Sequence, residues 1–247
     1  MNSYPLLALA AFLAGIINAV AGGGSFLTFP ALVFTGVPSI IANASNTVAL
    51  FPGSFASAWA YREDFERVKG VSFPAMLGVS LAGGITGALL LLTTQQRTFD
   101  RVIPWLLLLA TVLFALGPTI ARRLQGSVRI PPPILLGCQY LVAIYGGYFG
   151  GAVGIMMLAL LSLYGLTDIH KMNASKTLLV GSMNAVAVVC FVVAGKVWWP
   201  QTLVMLVAAV LGGYAGARVA RRINPRILRA GITLISIGMT IAFFLRR

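Results

Sequence analysis

Two stretches, "GGGSFLTFPAL" at residues 22–32 and "GGAVGIMMLAL" at residues 150–160, decide how this chain is built. Each opens on a glycine pair and closes on Ala-Leu, and each lies in an apolar segment of about a dozen residues, 24–36 and 152–164. At about 1.5 Å per residue, such a segment stops short of the roughly 30 Å hydrocarbon core of a bilayer. It is therefore re-entrant, or one half of a broken span that a neighbour completes.

Composition says that a bilayer is the relevant solvent. Of 247 residues, 59% are hydrophobic and 9% are charged, against about 25% charged in a soluble domain. Longer apolar runs occupy 4–21, 42–60, 71–93, 102–120, 132–149, 172–194, 200–217 and 227–245. The pattern predicts an all-α membrane protein: a polytopic bundle of about eight membrane-spanning helices, with broken or re-entrant segments near 22–36 and 150–164. No stretch is long and polar enough for a domain outside the membrane, so residues 1–247 read as one transmembrane domain. The first twenty residues lack a basic leader and read as the first span rather than a cleaved signal.

The two halves match in register. Besides the glycine stretches, "NASNT" (43–47) pairs with "NASKT" (173–177), "LAGGITGA" (81–88) with "VLGGYAGA" (210–217), and "DRVIPWLLLL" (100–109) with "PRILRAGITL" (225–234). The offsets stay between 125 and 130 residues, which points to a duplication with repeat one at 1–121 and repeat two at 132–247. Between them lies "ARRLQGSVRIPPP" (121–133), where charge, Gly-Ser and prolines break the apolar pattern.

Loop charge bears on orientation. If each short segment reverses direction, one face collects the basic residues at 62–69, 122–129, 171 and 218–229. The other face keeps Arg97, Arg101, Lys196, Arg246 and Arg247. That asymmetry is what the positive-inside rule expects. It implies an odd number of crossings per half, hence inverted repeats with both termini outside. The formal charge of +13 is then largely topology, and nucleic-acid binding, which needs a basic domain outside the bilayer, is excluded.

Inverted repeats with interrupted helices place a binding site at the repeat interface. Helix starts after Gly22, Gly23 and Gly24, with Ser25 following, and after Gly150 and Gly151, aim unpaired amides and about half a positive charge into that interface. The alternative is that these glycines only allow close helix packing. In the five-residue clusters, Asn43, Ser45, Asn46 and Thr47 recur as Asn173, Ser175, Lys176 and Thr177. They are either donors facing an anion or N-caps of helices at the membrane surface. Lys176, about one turn into its segment, either snorkels to the interface or stands in the cavity as a fixed cation.

The acids stay out of the spans: Glu63, Asp64, Glu66, Asp100 and Asp168 fall in loops or at segment ends. An anion carrier suits this inventory better than a cation carrier. HExxH, a Ser-His-Asp set with a mid-span carboxylate and a nucleotide-binding glycine loop are all missing, so the chain does not read as an enzyme. Cys138 and Cys190 lack partner spacing, and neither a metal nor a cofactor is indicated.

The stretches 22–50 and 150–180, together with "GGITGA" and "GGYAGA", are similar to the sulfite exporter TauE/SafE family of membrane permeases over nearly the whole chain. The resemblance implies a bacterial inner-membrane transporter of small anions, often sulfur-containing, such as sulfite or a sulfonate like sulfoacetate. The second copy departs from the pattern, since "GGAVGIMM" lacks a third glycine and a following proline. The expected function is transport of a small organic or inorganic anion by alternating access between the repeats. A passive anion channel and a non-transporting scaffold stay open as alternatives. The expected partners are the anion and the lipid bilayer, with no nucleic acid, and a homo-oligomer is left open because the glycine blocks suit packing within one chain or between chains.

Overall fold

In the computed structural model, the described residues are 3–20, 23–60, 63, 65, 68, 70–124, 130–219 and 225–245. They form ten α-helices and no strand. The first half of the chain contributes α1 (Tyr4–Val20), α2 (Ser25–Phe34), α3 (Ser39–Ala60), α4 (Phe73–Thr93) and α5 (Gln96–Leu124). The second half contributes α6 (Pro132–Tyr148), α7 (Val153–Leu163), α8 (Ile169–Val193), α9 (Trp199–Val219) and α10 (Pro225–Leu245). The two short helices, α2 and α7, have 10 and 11 residues. Among the described residues, 73–93, 96–117, 170–193 and 199–216 are long and apolar enough to cross a membrane, and α1, α3, α6 and α10 complete the set of longer helices. The chain is a polytopic all-helical membrane protein.

Packing is alike in the two halves. α1 lies on α9 as α6 lies on α4; α3 meets α9 as α8 meets α4; α2 meets α10 as α7 meets α5. α3 and α8 pack on each other, as do α5 and α10. Replacing each helix by the one five places along returns these pairs, as a two-fold relation requires.

Side-chain contacts set the directions. Gln139 Nε2 donates to Met76 O (2.7 Å) and Ser80 Oγ (2.9 Å), while Tyr148 OH lies 3.4 Å from Thr94 Oγ1, so α6 runs parallel to α4. Thr111 Oγ1 lies 3.4 Å from Thr240 Oγ1 and Trp105 stacks edge-on against Phe244, so α5 and α10 run antiparallel. α5 and α10, which hold corresponding places in the two halves, thus point in opposite directions.

Small residues permit the closest crossings. A Cβ on Gly83 would sit 2.8 Å from Tyr140 O of α6, and one on its counterpart Gly212 would overlap Phe12 O of α1. Both glycine blocks therefore serve contacts inside this chain.

Three helices begin at least three residues earlier than the apolar pattern suggests. α3 starts at Ser39, α5 at Gln96 and α8 at Ile169. The first two starts are tied together: Ser39 Oγ donates to Asp100 Oδ1, and Gln96 Nε2 donates to Ser39 Oγ (2.6 Å) and Asp100 Oδ1 (3.1 Å). α8 is capped by Asp168, whose carboxylate accepts from His170 N (2.8 Å) and Lys171 N (3.2 Å). Backbone bonds from Lys171 and then His170 hold the Asp168 carboxyl below its ordinary range.

Candidate functional site

The chain breaks between α1 and α2 and between α6 and α7. Each break is a turn that an ordinary L-residue resists: Gly23 has φ +97°, Gly150 +77° and Ala152 +58°. Ala152 occupies the place of the third glycine of the first half, and it adopts the left-handed conformation that Gly24 (φ −56°) does not. The two breaks thus do the same topological task with different backbone geometry.

Both breaks reach one cavity of about 180 Å³. From the first half, Asn18, Gly23, Ser25, Thr47 and Phe51 line it; from the second, Gly150, Gly154, Lys176, Thr177 and Asn184 do so. Ser25 and Gly154 belong to the first turns of α2 and α7, where amides have no carbonyl four residues back within the helix. Two partial positive ends therefore border the space, each equivalent to about half a charge. Lys176 adds a full one, and among the described residues no Asp or Glu lines the cavity. Its ammonium donates to Asn173 Oδ1 at 2.7 Å, which holds the side chain beside its own helix. The arrangement presents positive charge and neutral donors to a solute of a few heavy atoms, for it is smaller than the roughly 300 Å³ typical of drug-sized sites.

The other sequence-derived candidates divide. Gly24 lies outside the lining; its amide donates to Asn18 Oδ1 at 2.7 Å. Asn43, Asn46 and Gly151 border a second, filled pocket with Ser25, Phe26, Phe29 and Phe149. Asn46 Oδ1 accepts from Thr28 Oγ1 and Asn43 Nδ2 donates to Tyr148 O at 2.9 Å. Ser45 turns elsewhere and accepts from Trp198 N at 2.9 Å. Asn173 orients Lys176, and Ser175 is 1% exposed with no partner for its hydroxyl and borders neither pocket. Gly22 lies outside the described residues.

The capping alternative for the second cluster is excluded, because Asp168 caps α8 and Asn173 is a full turn inside it. Lys176 is deeper than expected, seven residues past Ile169. Sequence reasoning passed over Asn18 and Asn184. Asn184 was detectable, since Thr177, Val180 and Asn184 recur every three to four residues on one helix face and all line the cavity. Asn18 stands alone in apolar sequence and only the glycine turn brings it to Gly24. Among the described residues no cluster of His, Cys, Asp or Glu is disposed to hold a metal ion.

A family profile described as sulfite exporter TauE/SafE matches residues 7–243. The chain belongs to the TauE/SafE family. Among relatives, it is 31% identical to "Probable membrane transporter protein YfcA" of Escherichia coli (strain K12) over 239 residues, 95% of this chain and 87% of that protein. It is 30% identical over 237 residues to "Probable membrane transporter protein ORF9" of a Sinorhizobium species, covering 95% and 90% of the two chains. A "Probable membrane transporter protein" of Haemophilus influenzae is 28% identical over 234 residues, covering 93% and 89%. Family and relatives place this TauE/SafE member among multi-pass membrane transporters, and the cavity between its interrupted helices lies within the matched residues.

Proposed function

We propose that the chain is a secondary transporter of a small oxyanion, with sulfite or a sulfonate such as sulfoacetate as the preferred class, in a bacterial inner membrane. One observation carries this reading: the starts of two half-helices, one from each half of the chain, and Lys176 converge on one cavity that no carboxylate among the described residues lines. In a low-dielectric setting, fixed partial charges and one ammonium favour a negative solute and disfavour a cation.

The second pocket supports alternating access. Gly151, Asn46 and Phe26 border it, and at repeat offsets of 128–130 residues these correspond to Gly23, Lys176 and Gly154 of the open cavity. It is the counterpart of the open cavity under the two-fold relation, closed in this conformation by Phe26, Phe29 and Phe149. Phe29 packs edge-on against Phe149 and stacks on Phe243. Exchanging the two arrangements opens the counterpart and closes the present cavity, the motion expected of inverted repeats. This reading takes the halves 1–121 and 132–247 as a duplication, with the basic loops on the cytoplasmic side.

The test is flux in proteoliposomes containing the full chain. Uptake of labelled sulfite or sulfoacetate that saturates, and that is accelerated by the same anion inside, supports the carrier. Lys176→Ala should lower it by at least tenfold at equal reconstitution, and Lys176→Arg should restore only part, since a planar fork needs more room than an ammonium. Undiminished flux in Lys176→Ala, or strictly potential-driven flux without saturation, contradicts the reading.

A further inference from the structure

Asn43 and Asn173 are repeat equivalents with opposite fates. In the second half, Asn173 Oδ1 accepts a hydrogen bond from Lys176 Nζ. In the first half the lysine position is Asn46, and Asn46 turns its own Oδ1 to Thr28 Oγ1. Asn43 Oδ1 is left with no donor, in a residue only 1% exposed. Its amide cannot simply turn over, because Nδ2 donates to Tyr148 O at 2.9 Å and a flip would set two oxygens against each other.

This acceptor borders the closed pocket, which shares Ser25 and Phe149 with the open cavity. Side chains fill the closed pocket and leave no room in it for a water molecule in this conformation. A buried amide oxygen without a donor is unfavourable, and a site of this kind rewards a ligand that supplies one.

We propose that Asn43 is a specificity-determining residue of the carrier, accepting a hydrogen bond from a donor group borne by the transported anion when the closed pocket opens. This rests on the anion-carrier reading above. The donor is a hydroxyl in preference to an ammonium. The first turn of α2, with Ser25 and Phe26, borders the same pocket, and its partial positive charge disfavours a cation there. Where the second half supplies its own donor from Lys176, the first half takes one from the cargo. The preferred substrates are therefore short anions with a hydroxyl on the carbon chain.

The experiment compares ethanesulfonate, 2-hydroxyethanesulfonate and 2-aminoethanesulfonate as competitors of labelled 2-hydroxyethanesulfonate uptake, in proteoliposomes of the full chain and of Asn43→Leu. The ratio of inhibition constants within one preparation does not depend on how much protein is folded. Wild type should prefer the hydroxyl compound over ethanesulfonate by about tenfold or more, with the amino compound between or below. Asn43→Leu should bring the ratio of the first two near one, whereas Asn173→Leu should leave the ratio unchanged. A wild-type ratio of one, a ratio unaltered in Asn43→Leu, or carriage of sulfite alone overturns the proposal. In each of these cases sulfite flux that still depends on Lys176 leaves the carrier reading standing; loss of that dependence removes both.

Discussion

Lys176 Nζ donates to Asn173 Oδ1 at 2.7 Å, one turn back on the same helix, while lining a cavity that no carboxylate among the described residues borders. The neutral amide orients the ammonium without cancelling its charge. Asn173→Asp keeps the shape and the oxygen but places a negative charge against Lys176. We expect anion uptake in proteoliposomes to fall by tenfold or more, mainly through a raised KM, with the folded fraction in size-exclusion profiles preserved. Uptake equal to wild type would show that the ammonium acts only as a tether.

Close packing of α1 on α9 depends on Gly212, where a Cβ would overlap Phe12 O. Gly212→Ala should lose about 1–3 kcal/mol of stability, as overpacked substitutions do. Gly78→Ala, on α4 with nothing within 4 Å of the added Cβ, should be neutral or gain up to about 1 kcal/mol from helix propensity. Thermal unfolding in detergent distinguishes the two, and equal shifts would contradict the helix crossing described here.

The left-handed turn at Ala152 (φ +58°) ranks its own substitutions. Valine, branched at Cβ, should lower the melting temperature beyond any effect of glycine, by an amount equivalent to about 1–3 kcal/mol. Glycine fits the φ value and should leave stability close to wild type, since relief of strain is offset by a more flexible unfolded chain. A valine variant as stable as wild type would mean that the break has another geometry.

Much of this architecture was legible in the chain itself. Apolar segmentation located all ten helices, because lipid-facing and core positions are both apolar in a membrane bundle. The offset repeats pointed to a duplication and the loop charges to inversion, while the shortness of 24–36 and 152–164 pointed to broken or re-entrant segments. Helix starts were less legible. Ser39, Gln96 and Asp100 are polar and look like loop, yet they bond one another across α3 and α5, a relation that exists only after folding. The same limit applies to the site. Ser45 and Thr47 are indistinguishable as sequence, but Ser45 is taken by Trp198 N whereas Thr47 faces the cavity. Asn18 joins the site through the turn at Gly23, a backbone effect that no side-chain pattern encodes.

Asp168 supplies a pH dependence. Its carboxyl is held below the ordinary value near 3.8 by bonds from the Lys171 and His170 amides. A depressed acid contributes its stability in full above the unfolded-state value and loses it as pH falls through the lower folded-state value. The difference in melting temperature between wild type and Asp168→Asn should therefore stay constant from neutral pH down to the ordinary carboxylate range. It should shrink only below that range. A difference already lost between pH 7 and 5 would point to another group.

The most direct measurement is anomalous diffraction from crystals of the full chain soaked in selenite, a heavier analogue of sulfite. The account predicts a selenium peak between the first turns of α2 and α7, within hydrogen-bond reach of Lys176 Nζ, and its loss in Lys176→Ala. An empty cavity at selenite concentrations that saturate competition for uptake, or a peak bound elsewhere and indifferent to Lys176, would contradict it.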